Sequence, residues 1–209
     1  MRGLVGCLVG GLLACILLSC VGGAGSLFYM QSAGPGVLDN LRVPGSSREP
    51  VITKEAAESF DRKVQEFNDR MASAQPNQPA TLMVSSDEVS SKIAQETQLD
   101  QLRESGVEIE NVRIDFRDNR AHFAAQIRAD QAGQVFGITG KLNLVPVRNG
   151  EAIRVDFDEL NIVGVLPLPI PLASVANSGP PQDREIPLDF RVDSITMSNG
   201  QLTIVGRPR

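Results

Sequence analysis

From Thr53 onward, apolar side chains recur at helical spacing. Phe60, Val64, Phe67 and Met71 follow one another at intervals of four, three and four, and Ala56 and Ala57 extend the stripe. Lys54, Asp61, Arg62, Lys63, Glu66, Asp69 and Arg70 occupy the other face. This pattern predicts an amphipathic helix over residues 53–73. Thr53 suits the N-cap, and Glu55 and Glu58 lie near the positive end of the helix dipole. Pro76 and Pro79 forbid its continuation. Residues 80–84, ATLMV, predict a short strand. Ser85 or Ser86 then caps a second helix, with Asp87 and Glu88 in its first turn and Val89, Ile93 and Ala94 on one face. Gly106 ends that region.

From Val107 the period changes to two. Val107, Ile109, Val112, Ile114 and Phe116 form one run, and Ala121, Phe123, Ala125, Ile127 and Ala129 form the next. Phe136, Ile138, Leu142 and Leu144 follow, then Ile153, Val155, Phe157, Leu160 and Ile162. Last come Leu188, Phe190, Val192, Ile195 and Met197, and finally Leu202, Ile204 and Val205. Arg117–Arg120 marks a turn, and Asn149-Gly150 and Asn199-Gly200 are hairpin signals. Three runs change phase midway, at Glu110-Asn111, Asp158-Glu159 and Asp193-Ser194. A slipped phase turns apolar side chains outward, so each break predicts a β-bulge. The expected fold is α+β: a curved, bulged antiparallel meander of about six strands, covered by the long helix. Residues 163–175, VGVLPLPIPLASV, carry Pro167, Pro169 and Pro171 at every second position. That segment suits neither a helix nor a central strand and should run extended along an edge or rim.

The N-terminal region is of another kind. No charge occurs from Gly3 to Leu38, and the apolar run Leu4–Met30 exceeds the roughly 20 residues a membrane-crossing helix needs. Residues 1–31 therefore read as a transmembrane signal anchor. A lipoprotein signal stays open beside it, because Leu17-Leu18-Ser19-Cys20 resembles a lipobox with Cys20 as the lipidated residue. Either reading puts the remainder outside the cytoplasm at the cell membrane. Residues 32–50, rich in Gly, Pro and Ser, read as a flexible linker, and residues 51–209 as the extracytoplasmic domain.

Composition narrows the chemistry. Asp and Glu number 25 against 20 Lys and Arg, a net charge of −5, which argues against a nucleic-acid partner. The three cysteines, Cys7, Cys15 and Cys20, all lie in the apolar run, so the domain lacks a thiol nucleophile or zinc-thiolate site. His122 is the one histidine and falls opposite Phe123 in a strand, where alternation predicts an exposed side chain. Ser85, Ser86, Ser90 and Ser91 lie near Lys92, but capping and solvated positions explain them more simply than a Ser–Lys pair. Asp115, Asp118, Asp156, Asp158 and Glu159 cluster without the ligand spacing of a calcium loop. No phosphate-binding glycine loop occurs. The residues imply no cofactor, no metal site and no catalytic residue.

Three short stretches carry a family likeness. Leu82-Met83-Val84-Ser85-Ser86-Asp87-Glu88-Val89 resembles the strand-then-helix opening of the YpmS-like and LmeA-like envelope proteins. Val163-Gly164-Val165-Leu166-Pro167-Leu168-Pro169 is similar to the glycine–proline segment that ends a long strand there. Gly200-Gln201-Leu202-Thr203-Ile204-Val205-Gly206 resembles their closing hairpin strand. The resemblance covers roughly residues 80–206 by order and pattern. It implies an N-terminal anchor and a domain similar to the tubular lipid-binding superfamily, in which a curved sheet wraps a long helix with lipid between them. The apolar pattern itself names the candidates: Phe60, Val64, Phe67, Met71, Leu166, Leu168, Ile170 and Leu172 either pack as core, the simpler reading for the helix stripe, or contact a lipid or other amphiphile. The small residues Ala121, Ala125 and Gly140 would leave it room. The alternative is an anchored structural or adaptor domain with a filled core that contacts another envelope protein through its sheet edge or proline-rich rim.

Overall fold

Helix α1, Lys54–Ser73, begins where the side chain of Thr53 accepts a hydrogen bond from the Ala56 N–H at 3.1 Å. It ends at Ala74, which is extended and closes the last turn onto Arg70 O at 2.8 Å. The computed structural model describes residues 41–75, 78–95, 107–129, 134–163, 170–171 and 185–209. The expected anchor, Cys20, Leu166, Leu168 and Leu172 lie outside them, and Ile170 is described by its backbone. Among the described residues no helix is long and apolar enough to cross a membrane.

Strand β1, Ala80–Ser85, buries Ala80, Leu82 and Val84 in strict alternation. Helix α2, Ser86–Gln95, follows without a loop. Ser85 is its cap: Ser85 Oγ accepts from the Glu88 N–H at 3.1 Å, and Glu88 Oε2 accepts from the Ser85 N–H at 2.8 Å. This reciprocal capping box satisfies two donors that the helix start would leave unpaired.

Strands β2 (Val107–Arg117), β3 (Arg120–Ala129), β4 (Gln134–Val147) and β5 (Ala152–Val163) form an antiparallel meander. Two short strands, β6 (Ile170–Pro171) and β7 (Glu185–Pro187), both pair with β5. Strands β8 (Phe190–Ser198) and β9 (Gln201–Pro208) make a hairpin in a separate sheet of order β1–β9–β8. This corrects the expectation of one meander, because the last hairpin pairs with the first strand of the domain. Helix α1 packs chiefly on α2 and β1, and α2 lies against β2. The long helix therefore sits beside the small sheet and does not lie across the meander.

All three phase breaks coincide with register shifts. Glu110 opposes Gln126 while Arg113 opposes Ala124, so β2 carries an extra residue. Asp158 is extra in β5 and Asp193 in β8. Two hairpins close on two-residue turns with both central residues at positive φ, Asp118-Asn119 (51° and 55°) and Asn199-Gly200 (52° and 73°). That conformation matches the twist of the flanking strands. The two turns also join the sheets. Asn119 N–H donates to Met197 O at 2.8 Å, and Gly200 N–H donates to Phe116 O at 2.7 Å.

Both sheets and both helices share one apolar core. Phe67 meets Phe190 edge-to-face, with centroids 5.2 Å apart, and Phe123 meets Phe157 likewise at 6.4 Å. Residues 41–50, expected as the end of a linker, lie against the domain. Val43 is buried, Glu49 pairs with Arg113 at 3.2 Å, and Arg48 pairs with Asp87 at 2.9 Å. We refer to these residues as the strap.

Candidate functional site

Strand β1 is an edge of its sheet, and the register shows which of its backbone groups are free. Ser198 and Gln201 flank the two-residue turn and face each other. Such a flanking pair exchanges both hydrogen bonds, so Gln201 points its N–H and C=O at β8, and Leu202, Ile204 and Gly206 point theirs at β1. Their partners are Val84, Leu82 and Ala80. Thr81 and Met83 therefore turn their N–H and C=O groups outward, and among the described residues no hydrogen bond reaches them. The next outward N–H, that of Ser85, is taken by Glu88.

A groove of about 160 Å³ runs between this edge and α1. Phe67 and Leu82 lie at its floor, Lys63, Glu66 and Arg70 line the helix side, and Thr81 and Met83 line the strand side. Met83 is 46% exposed, which is unusual for a large apolar side chain in this domain. An open strand edge beside a helix can accept an extended chain, with backbone bonds giving affinity and side-chain contacts giving selectivity. The alternation observed along β1 puts Met83 on the face opposite Leu82 and Val84. An outward methionine in a regular strand was the signal available for this site.

Of the residues expected to touch a lipid, Phe60 and Phe67 are fully in the core, and Val64 and Met71 are half-buried against it. Ile170 stands opposite Ile162 through β6, at the end of the large sheet. The room expected at Gly140 is taken. A Cβ there would sit 2.7 Å from the Phe123 ring and 2.4 Å from the Glu159 carbonyl oxygen. The glycine lets the Phe123 ring lie on the strand instead of leaving a void.

The polar candidates are engaged in the fold. Ser90, Ser91 and Ser86 are buried, which corrects their reading as solvated positions. Ser86 Oγ and Ser90 Oγ accept the N–H groups of Phe116 and Ile114 at 3.0 and 2.9 Å. Helix α2 thus satisfies the outer edge of β2, which would otherwise stay unpaired. Ser91 Oγ accepts the Thr53 N–H at 3.0 Å, and Lys92 pairs with Asp61 at 2.8 Å. Asp156 is bound by Arg154 at 2.8 Å, Asp158 by Arg120, and Glu159 by Lys141 at 2.6 Å. The hydrogen bond from Lys141 holds the Glu159 carboxyl below the ordinary glutamate range, against burial. At Glu88, burial pushes the carboxyl upward. Hydrogen bonds from Lys63, Ser59 and the Ser85 N–H together outweigh it and leave the pKa lowered.

His122 is 6% exposed, which corrects the expectation of an exposed strand residue. It does lie on the face opposite Phe123. On that face Arg117 reaches the His122 ring at 3.0 Å, and neighbouring Ala124 is 0% exposed. Across the strands the register lines up Asp115, His122, Lys141 and Glu159 in one row. A polar depression of about 440 Å³ lies nearby, where the strap, the start of α2 and the Asn199-Gly200 turn converge. Its main charges are matched, Arg48 with Asp87 at 2.9 Å and Arg117 with Asp115 at 3.6 Å. No family model, curated protein or solved structure matches this chain.

Proposed function

We propose that this chain is a membrane-anchored, extracytoplasmic domain that acts without catalytic turnover, by binding an extended segment of another envelope protein along β1. In this reading residues 1–31 are the anchor and the domain is an adaptor. One observation carries it: among the described residues, the edge of β1 leaves the backbone groups of Thr81 and Met83 unpaired beside a groove, with Met83 exposed. The packing under α1 supports it too, since Phe67 is buried and meets Phe190 edge-to-face. The test is photocrosslinking of the full-length chain in its own membrane, from a benzophenone side chain at position 83. A discrete adduct is expected there and none from exposed Thr196 on β8. Moving the probe to position 81 and adding Met83→Pro should abolish the adduct. Proline deletes the outward N–H while leaving the ladder to β9 intact. No adduct at 83, or one that survives Met83→Pro, sinks the reading.

A second reading, lipid or amphiphile binding, is favoured by one observation. Ile170 and Pro171 pair with Ile162 and Asn161 of β5, at the end of the large sheet where Ile127, Phe136, Ile138 and Ile162 gather. The lipid would then sit at that end, away from the α1 stripe. Native mass spectrometry of residues 41–209, which keep the strap, separates the two. Copurified lipid of defined mass and fixed stoichiometry supports lipid binding. A clean protein mass after incubation with membrane lipids removes it.

A further inference from the structure

We propose that His122 and Arg117 form an acid-released catch that holds the strap against the domain. Arg117 is the hub. Its guanidinium donates to the carbonyl oxygens of Pro44 and Gly45 on the strap and, at 3.0 Å, to Nδ1 of His122. A guanidinium only donates, so Nδ1 must be the unprotonated nitrogen and the ring is neutral. Its proton lies on Nε2, which is buried and has no hydrogen-bond partner among the described residues. The ring is thus held on one side by Arg117 and left unsatisfied on the other.

Charged groups face His122 from four directions. Strand β2 brings Asp115 and Arg117, the following turn Asp118, strand β4 Lys141 and strand β5 Glu159. Glu159 is already bound to Lys141 at 2.6 Å. The strap presents carbonyl oxygens to Arg117, and its own Glu49 engages Arg113 at 3.2 Å. Burial first, then the charges of Arg117 and Lys141, hold the ring below the ordinary histidine value, against Asp115 and Asp118. When Nδ1 is protonated it can no longer accept, and two cations meet where a hydrogen bond stood. Asp115, directly opposite His122 in register, is placed to take the imidazolium. Arg117 is pushed from the ring and loses its hold on Pro44 and Gly45.

The sign is definite. The folded domain favours neutral His122, so this contribution is complete above about pH 6.5 and is lost as pH falls through the lower folded value. The catch matters because the strap joins the domain to the chain leading from the apolar run. On the reading of residues 1–31 as the anchor, freeing the ten residues 41–50 would add up to about 33 Å of reach above the membrane.

The test is hydrogen exchange of the full-length chain in lipid nanodiscs at about pH 7.5 and about pH 5, either side of the ordinary histidine value and corrected for intrinsic rates. The informative amides are Ser46, bonded to Val43 O at 3.1 Å, and Val51, bonded to Asp87 at 2.9 Å. Amides of β9 serve as the internal reference for the fold. In the unmodified chain, strap protection should fall about tenfold or more at the lower pH while β9 stays protected. In His122→Gln, whose amide keeps an acceptor but does not titrate, the fall should vanish. In Arg117→Met the strap should be open at both pH values. Equal strap protection at both pH values in the unmodified chain overturns the catch, with no variant needed. A fall that persists in His122→Gln assigns the titration elsewhere and overturns it too, as does a strap that stays closed in Arg117→Met.

Discussion

Replacing Phe67 by alanine should destabilise the domain by about 3–5 kcal/mol, the range for a buried phenylalanine whose cavity cannot collapse. Phe67 is 2% exposed and lies edge-to-face with Phe190, 5.2 Å between centroids. Phe190 in turn lies on Gly206, where a Cβ would come within 2.7 Å of its ring. Helix α1 and both strands of the last hairpin are thus joined through one edge-to-face aromatic pair. Removing the first ring leaves the second without its partner, and the backbone of β9 cannot move in to fill the space. Denaturant unfolding of full-length protein in mild detergent measures the cost, with Val64→Ala as a half-buried comparison expected to lose about 1 kcal/mol. A Phe67→Ala loss below about 1 kcal/mol would mean that the side chain lines an adaptable space. That outcome would favour a ligand cavity beneath α1 over the filled core described above.

Gly140→Val should also destabilise, toward the upper end of the roughly 1–3 kcal/mol typical of overpacking. A Cβ at this position would lie 2.4 Å from the Glu159 carbonyl oxygen and 2.7 Å from the Phe123 ring. The ring can turn aside. The carbonyl cannot, because it belongs to β5 beside the bulge at Asp158 that sets the register with β4. Combining Gly140→Val with Phe123→Leu should therefore recover only part of the loss. A fall in unfolding midpoint with an unchanged denaturant slope would mark a loss of native stability alone. A change within about 0.5 kcal/mol would show that the strand has space at Gly140 after all. The earlier expectation of room beside this glycine would then return.

The contrast at Gly140 also separates what was legible along the chain from what was not. A small residue on the inward face of a strand reads as space. Whether the space is empty depends on a phenylalanine seventeen positions earlier, brought alongside by the pairing of β3 with β4. His122 makes the same point for a polar side chain. Alternation correctly put it opposite Phe123, but the chain could not show that it is 6% exposed, with Arg117 of β2 at 3.0 Å from its ring. Ser90 looked like a solvated helix position until α2 was laid against the edge of β2.

The sequence by itself determined the local features of this protein. The Thr53 cap, the Ser85–Glu88 capping box, the asparagine-centred turns and the three bulges each depend on a few neighbouring residues. Backbone geometry and side-chain hydrogen bonding act over that range, so residue identity is enough. Only the tertiary structure decided that the last hairpin pairs with β1 rather than continuing the meander, and that α1 lies beside the small sheet. A period of two says which face of a strand is apolar but carries no label for its neighbour. That choice belongs to the packing of the shared core, where turns, helices and strands distant in the chain must bury one another's apolar faces together.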